Sequence, residues 1–183
     1  MIAFIGLGNS GSQYQNTKHN AGFWVLDQWA ERHKLQFKPG KGEYLFAQSK
    51  KWEVVLVKPM TGMNNSGVAV KEIINHWGIN NPDLFVIIDD VDLPLGKVRV
   101  KPKGGDGCHR GLENIIYHLN SNKFPRIRFG IGTEDNMRPA EKYVLKPFKK
   151  EKLKELGFAI DKAVDVLDNL LINGLSHTMN YFN

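Results

Sequence analysis

The sequence predicts an α/β fold built on a mixed sheet. Short apolar runs rich in β-branched and aromatic residues alternate with segments whose apolar residues recur at helical spacing. No stretch repeats another. Two of the apolar runs are separated only by Lys50–Lys51, which calls for an antiparallel hairpin within the alternating order.

The elements follow in chain order. Met1–Leu7 is apolar, β-prone and short enough for a buried strand. Residues 6–11, GLGNSG, then spell G-x-G-x-x-G, which invites a dinucleotide-binding reading. That reading needs a helix opening at the last glycine and an acid about 20 residues on, ending a second strand. Ser12–Lys18 is polar and has no helical period, and the candidate acid, Asp27, falls inside a helix instead. The glycines therefore belong to a long polar loop. Its helix starts at Asn20, a fitting N-cap, and runs to Lys34 with Ala21, Phe23, Trp24, Val25, Leu26 and Trp29 along one broad stripe.

Tyr44–Ser49 and Trp52–Lys58 form the hairpin, and a helix follows over Asn65–Trp77. Leu84–Val91 reads as a strand ending in the acids Asp89, Asp90 and Asp92. Lys97–Lys101 alternates charge and valine. Lys101–Cys108, KPKGGDGC, is glycine-rich and expected to be a mobile loop. A helix over Arg110–Leu119, a strand over Arg126–Gly132 and a polar loop over Thr133–Arg138 come next. The last helix spans Lys149 to Asn173, with Leu153, Leu156, Ile160, Ala163, Leu167 and Leu170 at helical spacing.

Composition narrows the function. At 183 residues the chain makes one domain, 1–183, of ordinary size, and 42% hydrophobic with 24% charged residues is the balance of a soluble globular protein. No apolar run approaches membrane-spanning length and no signal peptide is recognised, so the expected location is cytoplasmic. The single cysteine, Cys108, makes no internal disulfide. The six histidines are scattered without zinc spacing, so neither a metal nor a cofactor is expected. A net charge of +6 favours anionic partners, nucleic acid first.

Three strand or loop ends carry chemically capable groups: Asn9 with His19–Asn20, Thr61–Ser66, and Asp89–Asp92. If the first and fourth predicted strands are neighbours, His19 meets one of the acids. A histidine held by a carboxylate is a general base, and with no activated serine or cysteine in view its target is water attacking an ester. Asn9 and Asn64 supply amides that can donate to a carbonyl oxygen; one donor aimed at a developing oxyanion contributes about 2.7–4 kcal/mol. Each group also has a plainer reading: His19 as a surface or capping residue, the acids as a polar strand end, Asn64 as a helix cap. Strand alternation puts Lys97, Arg99 and Lys101 on one face; Lys103 and Arg110 follow across the glycine loop, and Arg126 and Arg128 share a face of the next strand. The stripe suits a phosphate backbone, or is simply solvated.

Taken together, GLGNSG, TKHNAG, KPMTGMNNSG, IIDDVDLPLGKVRVK, GGDGCHRGLENII, RIRFGIG and the terminal MNYF resemble the bacterial-type peptidyl-tRNA hydrolase family almost end to end. The resemblance implies a monomeric single domain whose twisted mixed sheet is flanked by helices in three α/β/α layers. It implies hydrolysis of the ester joining a peptide to the 3′ end of tRNA, with tRNA as partner and no cofactor. It makes His19 the base, Asp89 its supporting acid and Asn9 the reader of the peptide end. Tyr14, Met63 and Asn64 would line the substrate site, and Arg99 and Lys101 match family positions that hold tRNA phosphate. Beside these, Gly62, His109 and Arg110 are expected at the substrate site, and Lys103 and Arg128 of the basic stripe on tRNA phosphates. Three residues depart from the pattern: Ser10 where proline is usual, Gly62 where an aromatic is common, and Arg110 where asparagine is usual. The last exchanges a neutral donor–acceptor for a cation that only donates.

Overall fold

The computed structural model describes residues 1–183. Its seven strands are β1 (Ile2–Gly6), β2 (Lys38–Pro39), β3 (Tyr44–Ser49), β4 (Val54–Pro59), β5 (Leu84–Pro94), β6 (Val98–Lys101) and β7 (Arg126–Gly132). They form one mixed sheet in the order β2-β3-β4-β1-β5-β7-β6. Pairs β4–β1, β1–β5 and β5–β7 are parallel; the two outer margins, β2–β3–β4 and β7–β6, are antiparallel. The helices are α1 (Ala21–Arg32), α2 (Ser66–Trp77), α3 (Arg110–Leu119), α4 (Ala140–Val144) and α5 (Leu153–Phe182).

Both faces of the sheet are covered, which is why β1 reads as an unbroken apolar run. Phe4 points into a core shared with Leu26, Trp29 and Leu167 of α1 and α5. Its neighbours Ala3 and Ile5 point into the opposite core with Val70, Ile73 and Ile115 of α2 and α3. This is the three-layer α/β/α arrangement expected from the sequence.

The glycines of the opening motif act in packing. A Cβ on Gly6 would lie 2.3 Å from the Gly22 carbonyl oxygen, and one on Gly22 would lie 2.3 Å from the Leu7 nitrogen and 2.6 Å from the Ile87 carbonyl oxygen. The start of α1 therefore rests directly on β1 and β5, fixing the residues just before it at the carboxyl end of β1 and against the middle of β5.

Several boundaries differ from expectation. Ser49 pairs with Val54, so the hairpin turn takes four residues and excludes Trp52 from the strand. A two-residue lysine turn would need positive φ at one or both positions; here neither lysine adopts it, and Glu53 does, at φ 49°. The last helix begins later, after a 3₁₀ turn at Lys150–Lys152, and continues to Phe182 across a non-helical Gly174 (φ 80°). That break hides the second piece from a periodicity reading. The Thr178 hydroxyl closes the kink, its one proton facing both the Gly174 carbonyl and Asn169 Oδ1, each 2.8 Å away. At its end, Asn183 accepts from Val100 N–H and donates to Val100 C=O through its amide, both at 2.8 Å, closing part of the open edge of β6. Five-residue α4 and two-residue β2 are too short to show a period.

Candidate active site

The crossing of α1 over β1 and β5 sets His19 in a 3₁₀ turn, Lys18–Asn20, against the middle of β5, just past the point where β5 stops pairing with β1. His19 Nδ1 lies 2.8 Å from Asp89 Oδ1. The neighbouring acids are engaged elsewhere: Asp90 with Arg128, Asp92 with Arg138. Geometry thus singles out Asp89, the choice that spacing alone left open. A second imidazole reaches the same oxygen, with His109 Nε2 3.0 Å from Asp89 Oδ1.

Asp89 is almost fully buried, its side chain 3% exposed. Burial works to raise its pKa, but the His19 and His109 charges and the hydrogen bonds from both rings outweigh it and hold the carboxyl well below the usual carboxylate range. The group is an ionised acceptor across the physiological range. Its partners are therefore donors. With Nδ1–H turned to the acid, His19 keeps its Nε2 lone pair for the cleft.

His109 lines the cleft beside Asp89. It is also the N-cap of α3, its Nδ1 accepting the Leu112 N–H at 3.3 Å. One ring nitrogen accepts from the backbone and the other donates to Asp89, so the tautomer is fixed and both nitrogens are engaged within the protein. The same geometry bears on metal binding: His19, Asp89 and His109 lie close enough to share an ion. For His109 Nε2 to ligate it, Nδ1 would have to carry the proton, facing the Leu112 N–H.

Asn9 is held by Asn20. Its N–H donates to Asn20 Oδ1 at 2.8 Å, and Asn20 Nδ2 donates back to the Asn9 carbonyl at 3.0 Å. Asn20 occupies the N-cap position of α1 without capping it through its side chain; the expected cap is an inter-loop clamp. The Asn9 side-chain oxygen accepts the Met63 N–H at 2.8 Å. The amide is thereby oriented, and Nδ2 is what it offers the cleft. Asn64 is exposed, lines the cleft and makes no side-chain hydrogen bond within the protein, so it is not used as a helix cap.

These groups line one cleft of about 1030 Å³, together with Tyr14, Gly62, Met63 and Arg110. Gly62 has φ 80° and ψ 153°, a conformation essentially reserved for glycine, so the departure from an aromatic residue there matches the backbone. Arg110 is 63% exposed and its ion-pair partner is Glu113, one helical turn on, at 3.3 Å.

The basic stripe divides. Val98 and Val100 are buried while Arg99 and Lys101 are exposed, as the alternation predicts. Lys101 lines the cleft; Arg99 and the exposed Lys103 lie outside it. Arg128 is paired with Asp90 at the cleft wall, so its phosphate contact would compete with an internal partner. Arg126 leaves the stripe altogether. It is 2% exposed and donates to the carbonyls of Gly104, Gly105, Asn122 and Phe124. The glycine loop expected to be mobile is tethered at its middle by this buried cation. Period-two alternation puts Arg126 on the same face as Arg128 but carries no sign that the loop folds over it.

An α/β sheet with a histidine–carboxylate pair lining a cleft just beyond the carboxyl end of its central parallel strand β1 fits a protein that works on a ligand in that crevice. The peptidyl-tRNA hydrolase family profile matches residues 3–183. The chain is 41% identical to the peptidyl-tRNA hydrolase of Bacillus subtilis over 187 residues, covering 100% of this chain and 98% of the relative. It is 40% identical to that of Aquifex aeolicus over 181 residues, covering 98% and 94%. The crystal structure of peptidyl-tRNA hydrolase from Acinetobacter baumannii superposes with a TM-score of 0.92 at 31% identity, covering 100% of this chain and 94% of that one. The chain belongs to the peptidyl-tRNA hydrolase family.

Proposed function

We propose that this protein hydrolyses the ester between a peptide and the 3′ end of tRNA, with water as nucleophile and His19 as general base. The observation that carries the assignment of the base is the 2.8 Å contact between His19 Nδ1 and buried Asp89, which leaves Nε2 free toward the cleft. His19 Nε2 takes a proton as the water oxygen bonds to the ester carbonyl carbon. Asp89 stabilises the imidazolium that forms. The Asn9 amide, whose oxygen is already occupied by Met63, donates to the peptide or to the developing oxyanion, and Asn64 supplies a second amide. Collapse of the tetrahedral intermediate breaks the bond to the 3′ oxygen, which takes the proton back from His19.

The tRNA body is held by charge. Arg99, Lys101 and Lys103 are exposed, Lys101 at the cleft, and they would bind the phosphates of the acceptor stem without reading sequence. Arg128 would join them on release from Asp90. The protein acts as a single domain spanning 1–183, as a monomer in the cytoplasm, in the recycling of tRNA from translation; no helix is long and apolar enough to cross a membrane.

The test is His19→Ala with a purified peptidyl-tRNA. Release of free peptide stops while tRNA binding persists. Undiminished release removes His19 from the mechanism.

A further inference from the structure

Beside the catalytic histidine lies a buried cation that the reaction above does not use. Lys18 is 4% exposed. Its ammonium donates to the Lys146 carbonyl at 3.1 Å and the Pro147 carbonyl at 3.0 Å, and sits 4.1 Å from the centre of the Tyr143 ring and 5.0 Å from that of Phe148. Its backbone N–H also donates to the Lys146 carbonyl, at 3.2 Å. No carboxylate lies within ion-pair distance. Burial lowers its pKa, while the more distant Asp135 and Lys146 act in opposite directions.

A buried ammonium is costly to desolvate, and tethering a loop by packing alone would need no charge. What the charge provides here is direction: two carbonyls and two ring faces fix the position of one atom. The surroundings give that position a purpose. Helix α4 turns Ala140, Glu141 and Val144 toward the cleft and brings Tyr143 to Lys18, and the segment that follows it supplies the Lys146 and Pro147 carbonyls. Tyr143 is itself fixed to the end of β7, its hydroxyl donating to the Ile131 carbonyl at 2.6 Å. The cleft wall, Lys18 and His19 thus form one continuous chain of contacts.

We infer that Lys18 is a positioning residue for the reaction: it locks the turn carrying His19 to the α4 wall, so that the ring meets water and ester at the correct distance. The inference rests on the assignment of His19 as base. Asp89 orients the His19 ring from one side, Asn20 ties the next residue to Asn9, and Lys18 fixes the residue before. The turn is pinned at three consecutive positions to three separate elements.

The experiment compares Lys18→Met, Lys18→Gln and Lys18→Arg in steady-state hydrolysis of peptidyl-tRNA, with folding checked by circular dichroism. Met and Gln variants should lose about 10²-fold in kcat, the scale of an ångström-sized displacement of a catalytic group. KM should stay within about twofold, because no substrate contact is removed. Lys18→Arg, which restores a cation that can donate to both carbonyls and lie against both rings, should recover most of the rate. Unchanged kcat in a folded Met or Gln variant overturns the proposal, as does a loss residing in KM or an Arg variant no better than Met. If both neutral variants fail to fold, Lys18 anchors the fold rather than the ring, and the proposal also falls. Failure of the underlying reading shows separately, as activity retained by His19→Ala.

Discussion

Replacing Asp89 by asparagine tests the central electrostatic claim with little change of shape. One oxygen, Oδ1, accepts from both His19 and His109, and an asparagine carbonyl can occupy that place. What disappears is the negative charge 2.8 Å from the ring that becomes an imidazolium. Two unit charges about 4 Å apart at an effective dielectric constant of about 20 interact by about 4 kcal/mol. Lost from the transition state alone, that energy corresponds to a fall in kcat on the order of 10³-fold. KM should hold, because the Asp89 side chain is 3% exposed and faces the imidazoles. Steady-state kinetics on Asp89→Asn measures kcat and KM. A variant within tenfold of the parent, or a loss confined to KM, would refute the reasoning.

Three other outcomes are expected. His109→Ala removes a donor to Asp89 and the cap of α3, so denaturant unfolding should show a loss of about 1 kcal/mol; kcat should fall while KM holds, and a rise in KM alone would mark His109 as a substrate contact. Arg99→Ala should weaken tRNA binding and flatten the plot of log affinity against log salt by about one unit of slope, with kcat at saturation unchanged; binding titrations at several salt concentrations measure it. Gly62→Ala forces a side chain onto a glycine-only backbone conformation and should cost about 1–3 kcal/mol in equilibrium unfolding.

How much was legible in the sequence depended on whether the signal was local. β3, β7 and α3 run between the residues their apolar patterns and flanking turn residues predict. Trp52 was misplaced because turn length depends on which residues accept positive φ, and Glu53 rather than a lysine does so. The stretch after Gly174 was missed because one left-handed residue interrupts the period, although a helix resumes. For the site, residue types and their positions at strand ends picked out His19, Asn9 and Asn64. Arg126 and Arg128 read alike in sequence, two residues apart on one strand, yet one is buried under a loop and the other faces an acid.

The sequence by itself determined the layers: both faces of the central strands are apolar, and helices with one apolar stripe must cover them. It also determined which side chains stand at the strand ends, since a strand's period and its terminating residues are properties of neighbours in the chain. Spacing left three acids open and the motif resemblance pointed to Asp89; only the tertiary structure decided that His19 and His109 donate to the same Asp89 oxygen, that Asn20 clamps Asn9, and that Lys18 reaches carbonyls 128 and 129 residues away. The physical reason is that hydrophobic periodicity constrains each element separately. Hydrogen-bond partners are fixed by the order of strands in the sheet and the close seating of α1 on β1 and β5 through Gly6 and Gly22, which bring distant residues within hydrogen-bonding distance of each other.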